Sequence, residues 1–382
     1  MTTCPACLES VPDATFCGNC GAGLVAPVTR WNVMLRPTVY ATAHRERIWT
    51  PRVSSSYLPR LAGPMRTPFR IALLIVLIVM IACAFLRLNG IGGVTATLGW
   101  PLIFLIYVWE TDVFRDIRPR IMVVSMVLGI ASGVGWWLVG GKWLAGAYGV
   151  STGEGLLLAQ VLNVGFLLTL GGTVLMLLPA LISRFIPVPR REALDGFVVA
   201  TFGALWYQTA STTTVVAPQF AEGLINEQST GRMFQDAITY GVVDPITTTA
   251  AAGLLGLLLW FTPRPDPNGR RARWGLIVCA ALGVLLYLSV WLVESFGLDP
   301  VPEVALKIGQ SVLALLLVRC AVQMALLHET PDPATGEPIL CVHCERVVPD
   351  MPFCCACGAA ARASSRTSRR LRRENPPVLE PS

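Results

Sequence analysis

Twelve cysteines stand in the 382-residue chain, and eight of them fall into a repeated pattern. Residues 4–21 read CPACLESVPDATFCGNCG and residues 341–358 read CVHCERVVPDMPFCCACG. Aligned without a gap, the two stretches agree at nine of eighteen positions, including all four cysteines, a Val-Pro-Asp and a Phe. Each holds two C-x2-C pairs separated by nine residues: Cys4, Cys7, Cys17 and Cys20, then Cys341, Cys344, Cys354 and Cys357. Two such pairs bring four thiolates to the corners of a tetrahedron, the geometry of a structural zinc site. Four thiolates close the coordination sphere, so the implied chemistry is structural rather than hydrolytic. An eighteen-residue unit buries too little apolar surface to fold alone, and metal binding must supply the folding energy. Gly21 and Gly358 follow the second pairs and permit a tight turn, while Phe16 and Phe353 can cover the small core. Disulfides are the alternative. His343 and Cys355 lie inside the second module as alternate ligands, and the match to the first module favours Cys354 over Cys355.

What these modules flank is strongly apolar. The chain is 53% hydrophobic and 14% charged, with a mean hydropathy of +0.58. A soluble domain carries about a quarter charged residues. Stretches long enough to span a bilayer are expected at 69–88, 91–109, 120–140, 156–182, 194–217, 237–261, 274–294 and 304–327. The predicted fold is an all-α polytopic membrane protein of about eight transmembrane helices flanked by two small zinc ribbons. The first 68 residues are polar and cysteine-bearing, unlike a cleavable signal peptide.

Positive charge clusters before the first span, at Arg115, Arg118 and Arg120, at Arg184, Arg190 and Arg191, and at Arg264, Arg270, Arg271 and Arg273. The alternate loops hold little. By the positive-inside rule the protein is a multi-pass protein of the cell (inner) membrane with both termini cytoplasmic, where disulfides are rare and zinc is favoured. The net charge of +6 then reflects topology.

The expected organisation is an N-terminal ribbon (1–23), an extended Arg/Pro-rich linker (24–68) with an interfacial helix at YATAHRERIW, the membrane domain (69–328), a linker (329–340), the second ribbon (341–358) and a disordered basic tail (359–382). The tail RASSRTSRRLRRE carries six arginines beside Ser364, Ser365 and Ser368. It reads as solvated and topology-fixing, or as attracted to anionic lipid and releasable by phosphorylation. Nucleic acid is disfavoured, since no aromatic residues are interleaved for stacking.

Polar residues inside a membrane are costly and mark function by default. Asn163, Gln208, Ser211 and Asp244 are expected to share one layer, with Lys307 leaning toward it and Pro245 bending the helix beside the acid. Helix-to-helix hydrogen bonding is the plainer use of these groups. His44 has no partners at ligand spacing. Cys83, Cys279 and Cys320 stand alone in separate spans and read as small apolar residues.

The short ribbons resemble those common in prokaryotic membrane proteins. The stretch RREALDGFVVATFGALWY, with Asp195 and Gly196 opening an apolar helix, resembles the PrsW family of intramembrane proteases. The resemblance implies a Glu-Glu pair on the preceding helix, a later Glu and a following His. Here Gly171 and Gly172, Ser211 and Asp244 stand at those places. It therefore implies a protease scaffold without its catalytic set, or an unfamiliar site built from Asp244, Glu154 and Asp195. No HExxH, Walker or Rossmann pattern occurs. The expected function is a non-catalytic membrane protein whose paired cytosolic ribbons dock a protein partner, with a PrsW-type protease or an Asp244-centred transporter as alternatives. The 28 arginines against two lysines suggest a GC-rich bacterial genome.

Overall fold

The computed structural model describes the chain except residues 26–33, 37–38, 44–45, 64, 87, 149–157, 188–189, 222–234, 236–237, 296–297 and 378–382. It is mostly helical, with two small hairpins. Strands β1 (Thr2–Thr3) and β2 (Ser10–Val11) pair antiparallel, as do β3 (Pro338–Leu340) and β4 (Val347–Pro349). The helices are α1 (Val53–Tyr57), α2 (Arg66–Leu86), α3 (Asn89–Glu110), α4 (Val113–Asp116), α5 (Pro119–Tyr148), α6 (Leu158–Ser183), α7 (Ala193–Ala221), α8 (Asp244–Trp260), α9 (Pro267–Ser295), α10 (Pro300–His328) and α11 (Arg366–Glu374).

Among the described residues, six helices are long and apolar enough to cross a membrane: 66–86, 91–110, 119–140, 239–260, 267–290 and 301–328. The expected fourth and fifth spans correspond to α6 and α7. Of α6, Thr169–Ser183 qualifies as a shorter apolar helix, and α7 is not among the six. Its Gln, Ser and Thr content, from Gln208 to Thr214, dilutes its hydropathy.

Helix α7 is the hub, lying against α3, α5, α6 and α8. Small residues let the backbones touch, as is usual where lipid supplies no hydrophobic drive between helices. A Cβ on Gly196 would meet the Gly256 carbonyl at 2.3 Å, and one on Gly256 would meet the Gly196 carbonyl equally closely. The Asp-Gly that opens α7 thus has a packing role. Ahead of Pro245 the helical bonding changes: a π-helical turn, Thr239–Val243, leads into α8 at Asp244. Proline lacks the N–H that would bond the carbonyl four residues earlier, and the indole N–H of Trp100 donates to that Gly241 carbonyl at 2.7 Å.

The described residues of 40–61 do not form an extended linker, and the described part of YATAHRERIW is not helical. Tyr40, Ile48, Tyr57 and Leu61 are buried in the main core. The cause is a polar face on α10. Arg319, fully buried, donates to the carbonyls of Ile48 (3.1 Å) and Arg47 (2.8 Å), pairs with Glu46 (3.2 Å) and lies 4.0 Å from the Tyr40 ring centre. Gln323 takes the Ala41 amide and donates to the carbonyls of Leu35 and Val39. A buried guanidinium needs such partners, and the preceding segment wraps to supply them.

The tail also departs from expectation. Residues 366–374 form α11, capped by Ser365, whose side chain accepts the Ser368 amide at 3.2 Å. Ser364, Ser365 and Arg369 are buried. Residues 329–337 are likewise tied down, with Glu329 and Asp332 in ion pairs, and the second ribbon begins at Pro338 rather than Cys341.

Candidate metal centres

Two sites gather four cysteines each: Cys4, Cys7, Cys17 and Cys20, and Cys341, Cys344, Cys354 and Cys357, with all four Sγ atoms of a site within 4.8 Å of one another. Cys4–Cys20 and Cys7–Cys17 are 3.7 Å apart, and Cys341–Cys357 and Cys344–Cys354 are 3.9 Å apart. A metal–sulfur bond of about 2.3 Å gives a tetrahedral edge of about 3.8 Å, so both donor sets fit a divalent ion. Every cysteine is free of disulfides. Cys355 and His343 lie outside the second four-cysteine group.

The two sites are built alike down to the backbone. Each position of the first module corresponds to the one 337 residues later. Leu8 donates to the Cys4 carbonyl as Glu345 does to Cys341, and Gly21 to Cys17 as Gly358 does to Cys354. Leu8 and Glu345 both adopt positive φ, at 61° and 57°, as do Gly21 and Gly358, at 71° and 73°.

The ribbons also pair with each other about a local pseudo-two-fold axis. The Phe16 amide donates to the Cys355 carbonyl at 3.0 Å, and the Phe353 amide to the Gly18 carbonyl at 2.9 Å. Each phenyl ring covers the other module's glycine: a Cβ on Gly21 would lie 2.6 Å from the Phe353 ring, and one on Gly358 2.9 Å from the Phe16 ring. The repeated Phe and Gly are therefore complementary halves of one interface. The pair is bonded to the rest of the protein, since the Ala360 amide donates to the Ala41 carbonyl at 2.8 Å.

Beneath the ribbons lies an ion network that sequence reasoning missed. Arg60, its side chain fully buried, pairs with Asp195 (2.6 Å), Asp116 (3.2 Å) and Glu192 (3.2 Å). From α11, Arg366 reaches Asp195 at 2.8 Å and Arg369 bonds Glu192. Asp116 accepts the amides of Arg366 (2.6 Å) and Thr367 (2.8 Å), capping α11 from another part of the chain. These amides are the ones a helix start leaves unpaired. Burial alone would lift the Asp116 carboxyl, but Arg60 and the α11 donors outweigh it and hold it below its usual range. Asp332 is held low in the same way by Arg369 and Arg362. Glu329 behaves oppositely: burial pushes it up to about 7 against the pull of Arg362. The segments before α5 and before α7, the end of α10 and both terminal regions thus meet at one end of the bundle.

The polar layer expected within the helices is partly assembled. Gln208 donates to Asp244 at 3.4 Å and to Thr212 at 3.3 Å, and Thr248 donates to Gln208 at 3.4 Å. Ser211 is buried where α7 meets α5, its Oγ 3.1 Å from where a Gly133 Cβ would stand. Asn163 lies on α6, but its side chain is outside the described residues, as are Glu154 and His44. Lys307 pairs with Glu303 at 2.8 Å and donates to Thr239 at 3.3 Å.

The positions relevant to a protease scaffold are otherwise occupied. Space beside Gly171 is filled by the Trp136 ring, which a Cβ there would meet at 2.3 Å, and Gly172 faces the same indole. Asp195 is fully buried in the ion network. Comparison of the chain with protein-family models, with curated proteins and with solved structures finds no match in any of the three, and the resemblance to PrsW proteases has no support from a family match.

Proposed function

We propose that the protein is a non-catalytic, eight-span protein of the cell (inner) membrane whose paired ribbons form a cytoplasmic docking platform for a protein partner. The observation that carries this reading is the reciprocal Phe–Gly pairing of two four-cysteine sites, bonded to the helix bundle at Ala41. Each site holds one structural zinc, a closed tetrathiolate that supplies folding energy and leaves no position for substrate. The arginine-rich loops share the ribbon end of the bundle, which supports a cytoplasmic location for both termini. The ribbon pair presents Leu8, Leu340 and Val347 outward.

A Leu8→Glu/Val347→Glu variant tests the platform, because glutamate already occupies the matching left-handed position, Glu345, in the second ribbon. With both metals retained, the expected result is loss of a defined cross-linked adduct from a photoreactive residue at Leu340, together with loss of complementation of the deletion strain. Full complementation with no wild-type adduct refutes the platform. A second reading, transport, is favoured by the π-helical turn at Thr239–Val243, a local irregularity frequent at functional sites, and by the Gln208–Asp244 contact beside it. Asp244→Asn abolishing a transport current in proteoliposomes supports it, and an absent wild-type current refutes it.

A further inference from the structure

A cavity of about 630 Å³ opens between the second ribbon and the start of α2. Arg52, Arg66, Arg70 and Arg346 line it, against Glu46 and Glu345. Glu46 is heavily committed. Its Oε2 accepts from Ser55 at 2.6 Å and from Arg319 at 3.2 Å. Its Oε1 faces Arg52 at 3.5 Å, Arg70 at 3.5 Å and Arg66 at 3.9 Å. Charge-assisted bonds run about 2.7–2.9 Å, so one oxygen faces three guanidinium groups and holds none closely. Arg66 spends its other donors on the carbonyls of Leu61 and Thr42, which fix its fork without neutralising it. Arg70 donates to Ser54 at 3.1 Å, a neutral acceptor.

The position of these groups narrows the ligand. Arg66 and Arg70 are one turn apart at the start of an apolar helix, which next exposes Ile71, Leu74, Ile75 and Ile78. That aliphatic face suits acyl chains, and the arginines at its end lie at headgroup depth. Cys344 and Cys357 also line the cavity, and Arg346 beside them extends the arginine set onto the ribbon. A tetrahedral phosphate offers several oxygens to planar guanidinium forks where the single carboxylate oxygen cannot.

We propose that this cavity binds a phosphate ester, with the headgroup of an anionic phospholipid as the source that the apolar face of α2 favours. The second ribbon forms one wall, so metal loading completes the site.

The test uses the full chain in a neutral maltoside detergent. Native mass spectrometry counts bound dioleoyl-phosphatidylglycerol against dioleoyl-phosphatidylcholine, and calorimetry follows inorganic pyrophosphate. An Arg52→Gln/Arg70→Gln/Arg346→Gln variant should weaken binding at least about tenfold, with metal content and melting midpoint unchanged. Weakened phosphatidylglycerol binding identifies the lipid source, and weakened pyrophosphate binding identifies a soluble phosphate ester. Either result supports the site. If the triple variant loses metal, Arg346→Gln alone, an exposed ribbon position, should still weaken binding about threefold. Absence of binding by both probes, or binding unaffected by these substitutions, overturns the proposal.

Discussion

Replacing Asp116 by Ala should release α11 from the helix bundle. Three tail donors converge on this carboxylate: the amides of Arg366 and Thr367, at 2.6 and 2.8 Å, and the Thr367 hydroxyl, at 2.8 Å. Arg60 adds a fourth at 3.2 Å. A hydrogen bond to a charged group contributes about 1.5–3 kcal/mol, and neighbouring bonds of this kind do not add fully. Arg366 keeps Asp195 in the variant, so a net loss of about 3 kcal/mol is a fair expectation. That multiplies the undocked population by about a hundredfold. Trypsin cleaves after arginine, and cleavage of a transiently opened segment tracks its open population when reclosing is fast. Cleavage within 366–373 of the full-length protein, timed by mass spectrometry, should therefore accelerate about a hundredfold. Asp112→Asn is the control, since Asp112 pairs with the exposed Arg115 at 3.4 Å and asparagine tolerates its left-handed backbone, φ 55°, and a change under about twofold is expected. A rate for Asp116→Ala within twofold of the native protein would refute the capping argument.

Elemental analysis should find two metal ions per chain, one after Cys354→Ser and still two after Cys355→Ser, because only the former thiol is in the four-cysteine group. Gly21→Ala should lower the melting midpoint measurably, combining about 1–2 kcal/mol of left-handed backbone cost with a Cβ placed 2.6 Å from the Phe353 ring; a midpoint shift under one degree counts against ribbon pairing. For pH, the Glu329 carboxyl rises from 4.5 to about 7 on folding, so its contribution is complete below 4.5 and lost as pH rises through about 7. Asp116 and Asp332 are depressed, so theirs is present above their ordinary 3.8 and lost as pH falls below it. Melting midpoints should thus be highest at mildly acidic pH, and Glu329→Gln should flatten the decline between pH 5 and 8, which a differential scanning series can contradict.

The ribbons were legible in the sequence because coordination geometry dictates cysteine spacing almost residue by residue. Their mutual pairing was legible only in part: the repeated Phe and Gly stand out, but which ring covers which glycine is decided across more than 300 residues. The departure from α-helical bonding before Pro245 was readable from a missing N–H. The wrapped segment 40–61 was not, since its burial answers a demand made by Arg319 and Gln323 far along the chain. The tail misled for a related reason. Its composition is that of a solvated segment, yet its partners Asp116, Glu192, Asp195, Asp332 and Asp350 come from four separate stretches that local patterning cannot connect. The span count suffers from α7, whose polar residues serve its neighbours and lower its apparent affinity for lipid.

The reciprocal ribbon interface also sets an order of events during synthesis. Cys20 leaves the ribosome 321 residues ahead of Cys341, an interval of roughly 15–65 s at about 5–20 residues per second. Throughout that time the first ribbon can be loaded and folded, but Phe16 and Gly21 remain uncovered, because the surfaces that shield them have not been made. A chain truncated anywhere before the second module keeps that small hydrophobic face open to whatever surveys nascent proteins. The interface can therefore close only on molecules whose translation has passed through the whole helix bundle and the second module.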